Sequence, residues 1–317
     1  MISSSINTEQ PLVSVIIPTR NRYSLLARAI ESVINQRYNN LEIIIINDAS
    51  DDDTSRVVEE YRNRFKRFIY ICNEKRYGGA ETRNIGMRNA SGKYIAFLDD
   101  DDEWLPDKVL KQVTILEDNP TVGAVSCWFN KISSRKSQRV RLISDINFSL
   151  MLWENFMGSF SFCMVRSEVV KKIELDSRLV SSQDWQFWIL LSQITKIYVV
   201  EQYLVNYYEH TGTRISNSSS SKLSGLRRMY FKYRSDMNGD CRKYRLTYLI
   251  LYKMFNSNYF HGNLVTYAIL IIKKSILLLN NKISRFVIRK ILLLNLSRIL
   301  LIKYDAFLAT YRFAKHL

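Results

Sequence analysis

Glycine and proline are scarce, 10 and 4 among 317 residues, which excludes collagen-like and low-complexity architectures. The four cysteines, Cys72, Cys127, Cys163 and Cys241, stand far apart without paired spacing, so neither a disulfide framework nor a zinc site is encoded. Met1 to Gln10 lacks the basic start and apolar run of a secretion signal, and a reducing, cytoplasmic setting is expected. A glycine-rich G-x-G-x-x-G is also missing after the first apolar run. Pro18 to Arg22 holds no glycine, which argues against a nucleotide-binding oxidoreductase.

What is present is a core-forming composition, 47% apolar and 24% charged, long enough for one α/β core and an appendage. The net charge of +16 is uneven. Residues 222–317 carry 19 lysines and arginines against three acids, Asp236, Asp240 and Asp305, while the remainder is balanced. The positive field therefore belongs to one module, whose partner should be anionic. Its apolar segments, Leu264 to Ile272 and Ile291 to Ile302, fall short of the roughly 18–20 residues of a spanning helix. Cations such as Lys273, Arg285, Arg289 and Arg298 punctuate the tail at helical intervals, which suits helices lying on an anionic membrane surface. The reading is an α/β domain over 1–221 and a basic amphipathic extension over 222–317, with the serine run Ser216 to Ser221 as linker.

The first half alternates β-branched runs with helical spacing. Strands are predicted at Val13 to Ile17, Leu41 to Ile46, Phe68 to Cys72 and Tyr94 to Leu98, with helices at Tyr23 to Gln36, Thr54 to Phe65 and Ala80 to Ala90. This order implies a mostly parallel sheet flanked by helices. Beyond residue 120 the pattern is mixed, with strands expected at Val122 to Phe129, Ser159 to Val165 and Ile197 to Val200 and a helix at Trp185 to Gln193. Ligands of such sheets bind beyond the carboxyl ends of the strands, which directs attention to Thr19-Arg20-Asn21, Asn47-Asp48 and Asp99 to Asp102.

Asp99-Asp100-Asp101-Asp102-Glu103 follows a buried strand, and so dense a cluster of like charge is unfavourable unless something positive binds there. A hard divalent cation, Mn²⁺ or Mg²⁺, takes oxygen ligands and bridges carboxylates to phosphates. The alternative is a solvated acidic turn capping a helix that starts near Pro106.

Five stretches, Val15-Ile16-Ile17-Pro18-Thr19-Arg20-Asn21-Arg22, Ile46-Asn47-Asp48-Ala49-Ser50, Arg83-Asn84-Ile85-Gly86, Gly92 to Asp102 and Gln183-Asp184-Trp185, occur in one order across about residues 10–215. With them the chain resembles the family-2 glycosyltransferases of bacterial polysaccharide synthesis, which have the GT-A fold. The resemblance implies that Pro18, Thr19 and Arg20 line a nucleoside pocket, that Asp48 accepts a hydrogen bond from the base, and that Arg83 approaches the nucleotide or its diphosphate. It places the family's Asp-x-Asp pattern on Asp99, near ribose and metal, and Asp101, a direct metal ligand. His210 matches a position able to complete the metal site, and Asp184 matches the catalytic base. Two departures stand out: Gln183 replaces a glutamate frequent in the family, and Arg76 stands where relatives often place asparagine.

The implied activity is inverting transfer of a sugar from a nucleotide diphosphate sugar, UDP first among them, to a glycan or lipid-linked glycan hydroxyl, on the inner face of the cell membrane. Each residue has a plainer reading beside it: Asp48 as a turn residue, Arg83 as an exposed helix arginine, Asp184 as a helix N-cap, His210 as a surface histidine. At the level of the whole chain the alternatives are a catalytically inactive sugar-nucleotide-binding module and a nucleic-acid binder. The cations sit among aliphatic runs rather than on a polar stripe, and no nucleic-acid partner is expected.

Overall fold

The computed structural model describes residues 10–134, 136–209 and 218–256. Contacts divide the chain into two compact units, Met1–Met237 and Asn238–Leu317.

The first unit opens with strand β1 (Val13–Thr19), helix α1 (Tyr23–Ile34), β2 (Leu41–Asn47), α2 (Thr54–Tyr61), β3 (Arg67–Cys72), α3 (Gly79–Asn89) and β4 (Tyr94–Phe97). β1 pairs in parallel with both β2 and β4, and β2 with β3. Val, Ile and Leu dominate β1 and β2 because both strands are covered on both faces, and every residue of β2 is buried. α1 packs Leu26, Ala29, Ile30 and Val33 into the core, the one-sided spacing read from the sequence.

After β4 come β5 (Glu103–Trp104), α4 (Lys108–Asp118), β6 (Val122–Ser133), β7 (Ser137–Val140), α5 (Phe148–Met151), β8 (Met164–Arg166), α6 (Ser167–Val170), α7 (Gln183–Ile194) and β9 (Lys196–Glu209). Together with the first half they form one nine-stranded sheet, ordered β3-β2-β1-β4-β8-β6-β9-β5, with β7 paired to β6. β8 runs antiparallel to β4 and β6, and β9 parallel to β6. The parallel pattern thus holds through β4 and gives way to mixed pairing beyond it.

Two expectations are corrected. Ser159 to Val165 is not a continuous strand: Phe160–Phe162 forms a 3-10 turn whose rings pack inward, and only Met164–Arg166 joins the sheet. Within that turn the Ser161 hydroxyl donates to Asp102. The serine run is not a free linker at its end either. Ser218 accepts a hydrogen bond from the Ser221 amide and caps α8 (Ser219–Tyr233), as serine does at helix starts.

Of the second unit, α9 (Gly239–Asn256) is the described helix. No helix among the described residues is long and apolar enough to cross a membrane. The tail segments Leu264 to Ile272 and Ile291 to Ile302, and His210, lie outside the described residues.

Candidate active site

β1 lies where the strand order reverses, between β2 and β4, and such a switch point is where open α/β sheets bind ligands. The local ladder leaves the end of β1 unpaired on the β4 side. β1 pairs with β4 only as far as Ile16, but with β2 as far as Thr19, so Pro18 and Thr19 extend past the end of β4. Pro18, lacking an N–H, interrupts nothing on that side. Three non-glycine residues among those described have positive φ, namely Asn21 (53°), Ala49 (55°) and Ser182 (63°). They follow β1, follow β2 and precede α7 respectively, beside Arg20, Asp48 and Asp184. Backbone held in this region costs about 1–3 kcal/mol and persists where surrounding structure demands it.

The acidic turn is not solvated. Asp100, Asp101 and Asp102 are buried, and Asp99 is partly exposed. α4 begins at Lys108, and its cap residue, Asp107, makes no side-chain cap bond, so the carboxylates serve something other than a helix start. Arg22 Nη1 donates to Asp100 Oδ1 at 2.7 Å and to Asp101 Oδ2 at 3.1 Å. Burial pushes the Asp100 carboxyl up to about 6 against the opposing pull of Arg22. Arg28 reaches the Asp101 carbonyl at 2.6 Å and stacks 3.8 Å from the centre of the Tyr208 ring. Ser161 clamps the turn from beneath: its hydroxyl donates to Asp102 Oδ2 at 2.5 Å and accepts from the Asp99 amide at 3.1 Å.

Arg83 is not an exposed helix arginine. It is 9% exposed, with Nη2 on Asp99 Oδ1 at 2.5 Å, Nη1 on Gln183 Oε1 at 3.2 Å, and its guanidinium 4.2 Å from the centre of the Phe160 ring. It therefore joins the acidic turn to the first turn of α7, its bond to Gln183 spanning 100 positions of sequence. Gly79 makes this approach possible, since a Cβ there would stand 2.8 Å from Gln183 Oε1 and 2.9 Å from Arg83 Nη1. The departure at Gln183 thereby acquires a structural context: a neutral amide accepts from a guanidinium whose charge is already matched by Asp99.

Asp184 sits in the first turn of α7, but the cap position is Ser182, so Asp184 is not the helix N-cap. Its Oδ1 accepts from the Trp185 amide at 2.8 Å and its Oδ2 from Asn155 Nδ2 at 3.0 Å. Burial pushes its carboxyl up to about 6, opposed by the Trp185 amide and reinforced by the negative charge of Asp99. Asn155 is itself fixed, accepting from the Met157 and Gly158 amides, and the indole of Trp188 holds the Gly158 carbonyl.

At the ends of β1 and β2, Thr19 is buried, and the Nε of Arg20 is buried with no hydrogen-bond partner in the protein. Asp48, 5% exposed, accepts from Asn73 Nδ2 (3.0 Å), the Tyr77 amide (2.7 Å) and the Gly78 amide (2.8 Å), so it fastens the loop between β3 and α3 to the end of β2. Arg76 lies exposed on that loop.

Carboxylate oxygens of Asp99, Asp101 and Asp102 lie within 4.8 Å of one another. An all-oxygen, all-anionic donor set suits Mn²⁺ or Mg²⁺ rather than a soft metal. Both oxygens of Asp102 already accept, from Ser161 and from the Tyr208 amide, which makes it a fixed wall of the group. Ser159 adds a donor to Asp99, its hydroxyl lying 2.8 Å from Oδ2. Arg22, Arg28, Asn155, Ser159 and Ser161 were not singled out from the sequence. Arg22 and Arg28 did stand in or beside a flagged motif, whereas isolated serines and an asparagine in an irregular segment carry no periodic or compositional signal.

A family model described as glycosyl transferase family 2 matches residues 14–174. The chain belongs to this family. An uncharacterized glycosyltransferase of Methanocaldococcus jannaschii is 30% identical over 206 residues, covering 63% of this chain and 71% of that protein. One of Rickettsia bellii is 44% identical over 107 residues, which are 34% of this chain and 15% of that longer protein. Among solved structures, S. aureus TarS residues 1–349 in complex with UDP-GlcNAc superposes with a TM-score of 0.61 at 17% identity, covering 77% of this chain and 73% of that one. The mannosyltransferase PcManGT of Pyrobaculum calidifontis, in complex with GDP-Man and Mn²⁺, gives 0.57 at 17% identity over 89% and 84%. The GT-A fold of this family-2 glycosyltransferase is thereby established.

Proposed function

We propose that the enzyme transfers a sugar from a UDP-sugar to a hydroxyl of a lipid-linked glycan, with inversion at the anomeric carbon. The observation that carries this reading is the Asp99–Arg83–Gln183 bridge, which sets the carboxylate of Asp184 beside an acidic cluster at the sheet's switch point. In this reading Pro18, Thr19 and Arg20 line the nucleoside pocket. The orphaned Arg20 Nε is a donor awaiting an acceptor, as a nucleotide oxygen would be. Asp48 either meets the base or holds the loop that does.

Asp99 and Asp101 would hold a divalent cation, with His210 as a further ligand. Such a cation, when bound, neutralises charge developing on the departing diphosphate. PcManGT in complex with Mn²⁺ supports that assignment for the fold. Arg83, already paired with Asp99, orients that carboxylate and offers charge-assisted hydrogen bonding to phosphate.

Asp184 takes the proton of the acceptor hydroxyl as its oxygen bonds to the anomeric carbon and the bond to the diphosphate oxygen breaks. A carboxyl raised to about 6 is a stronger base than an ordinary aspartate and is still ionised at neutral pH. Displacement assisted by a single base, with no enzyme nucleophile, inverts configuration. Residues 222–317 form the basic extension that places the enzyme on the anionic inner face of the membrane.

The test is a thermal-shift series of nucleoside diphosphates and nucleotide sugars with Mn²⁺, followed by NMR of the anomeric product. UDP ligands should give the largest rise in Tm and the product should be inverted. A folded Asp184→Asn variant that transfers at the parental rate would sink the assignment.

A further inference from the structure

α8 is divided lengthwise. Gly225, Leu226, Met229, Tyr230 and Tyr233 are buried, while Arg227, Phe231, Lys232 and the following Arg234 are exposed. Phe231 stands 52% open. The guanidinium of Arg227 lies 5.8 Å from the ring centre and that of Arg234 lies 5.4 Å from it.

Beside this ring is a cleft of about 620 Å³, walled by Asp176, Arg178, Arg227, Arg228, Phe231 and Lys232. Four cations face one carboxylate, and that carboxylate is already engaged. Asp176 accepts from Arg178 Nε at 3.0 Å and from Arg228 Nε at 2.8 Å, and its pKa is depressed, those bonds overcoming the effect of burial. The cleft is left net positive with an apolar ring at its rim.

We propose that this cleft seats the phosphate of an anionic membrane lipid headgroup, with Phe231 entering the interfacial layer. The proposal deepens the membrane placement suggested above and rests on it. Charge complementarity selects the occupant. Guanidinium and ammonium groups match a phosphate diester, and an exposed aromatic flanked by cations is the pattern of residues that sit at head-group level. A nucleic-acid backbone offers phosphate too, but would leave Phe231 in water unless a base were unstacked to meet it.

The cleft also touches the machinery of transfer. Ser181 Oγ donates to the Ser221 carbonyl at 2.9 Å, and Gly225 lies so close to Ser181 that a Cβ would approach its Oγ to 2.2 Å. Asp176 and Ser181 belong to the segment leading into Asp184, so a headgroup held on α8 is held against the same segment that carries the base.

The experiment is co-sedimentation of the full chain with vesicles of equal parts phosphatidylcholine and phosphatidylglycerol, with phosphatidylcholine vesicles as the uncharged reference. Arg227→Glu with Lys232→Glu should weaken partitioning about tenfold or more. Phe231→Ala should weaken it by a smaller factor. The charge-matched pair Lys171→Glu with Lys172→Glu, exposed just after α6, should not. The milder Arg227→Gln with Lys232→Gln serves if the reversal impairs folding. Donor hydrolysis without vesicles should be parental in all of them. If the cleft and control pairs fall equally, or neither falls, the cleft is overturned while membrane binding by the extension stands. If the parent chain ignores anionic vesicles, or binds duplex DNA in their place, both readings fall.

Discussion

The two halves of the sheet handle polarity differently. At the ends of β1 and β4 the site is built from full charges: Arg22 on Asp100 and Asp101, Arg83 on Asp99. Around α7 it is built from neutral groups: Asn155 and a backbone amide hold Asp184, and Gln183 meets Arg83. The difference suits the roles proposed for each half. A cluster of carboxylates stays ionised only among cations, whereas a carboxyl keeps a raised pKa where burial outweighs the cations near it. Arg83 stands at the seam, bonded to Asp99 and to Gln183, and its charge pulls the Asp184 carboxyl down against the larger effect of burial.

Variants can break this division. Asp184→Asn should give the largest effect, a loss of about 10³–10⁴ in kcat with donor affinity unchanged, read by steady-state kinetics and nucleotide titration. Should donor affinity fall equally, the halves are not separate. Asp101→Asn should lower kcat/KM by about 10²–10³ and abolish the Mn²⁺-dependent part of nucleotide binding, measured calorimetrically. Arg83→Lys keeps the charge but loses the fork that spans Asp99 and Gln183, and should lower kcat/KM by about 10–100-fold.

The pH profile sharpens the comparison further. A base must be ionised, so the rate should fall as pH drops through about 6, the value to which burial raises Asp184. Asn155→Ala removes a hydrogen bond that favours the ionised form, so the acid limb should move to higher pH. A limb that moves down, or stays, contradicts the role given to Asn155. The smallest effect is expected from Gly225→Ala, which should lower Tm by a few degrees, the overpacking against Ser181 being worth about 1–3 kcal/mol, with transfer reduced in proportion to displacement of the base segment.

The same contrast governs what could be read in advance. β1 to β4 were legible because strands buried on both faces write continuous β-branched runs, and the Asp99 to Asp102 cluster was legible because it is contiguous. β8 was overextended, since the apolar residues of a 3-10 turn, Phe160 and Phe162, mimic a strand in composition. Ser159 and Ser161 were overlooked because a serine that clamps a carboxylate looks in sequence like any loop serine.

The sequence by itself determined the parallel half of the sheet, the acidic turn at its edge, the membership of the chain in its family and the basic character of residues 222–317. Periodicity, contiguity and composition are local properties, and they survive without coordinates. Only the tertiary structure decided that Arg83 meets Gln183, that Ser161 holds the acidic turn, that Asp184 is desolvated, and that α8 offers cations around an open ring. Burial and long-range pairing depend on where distant segments come together, and no window of sequence contains both partners.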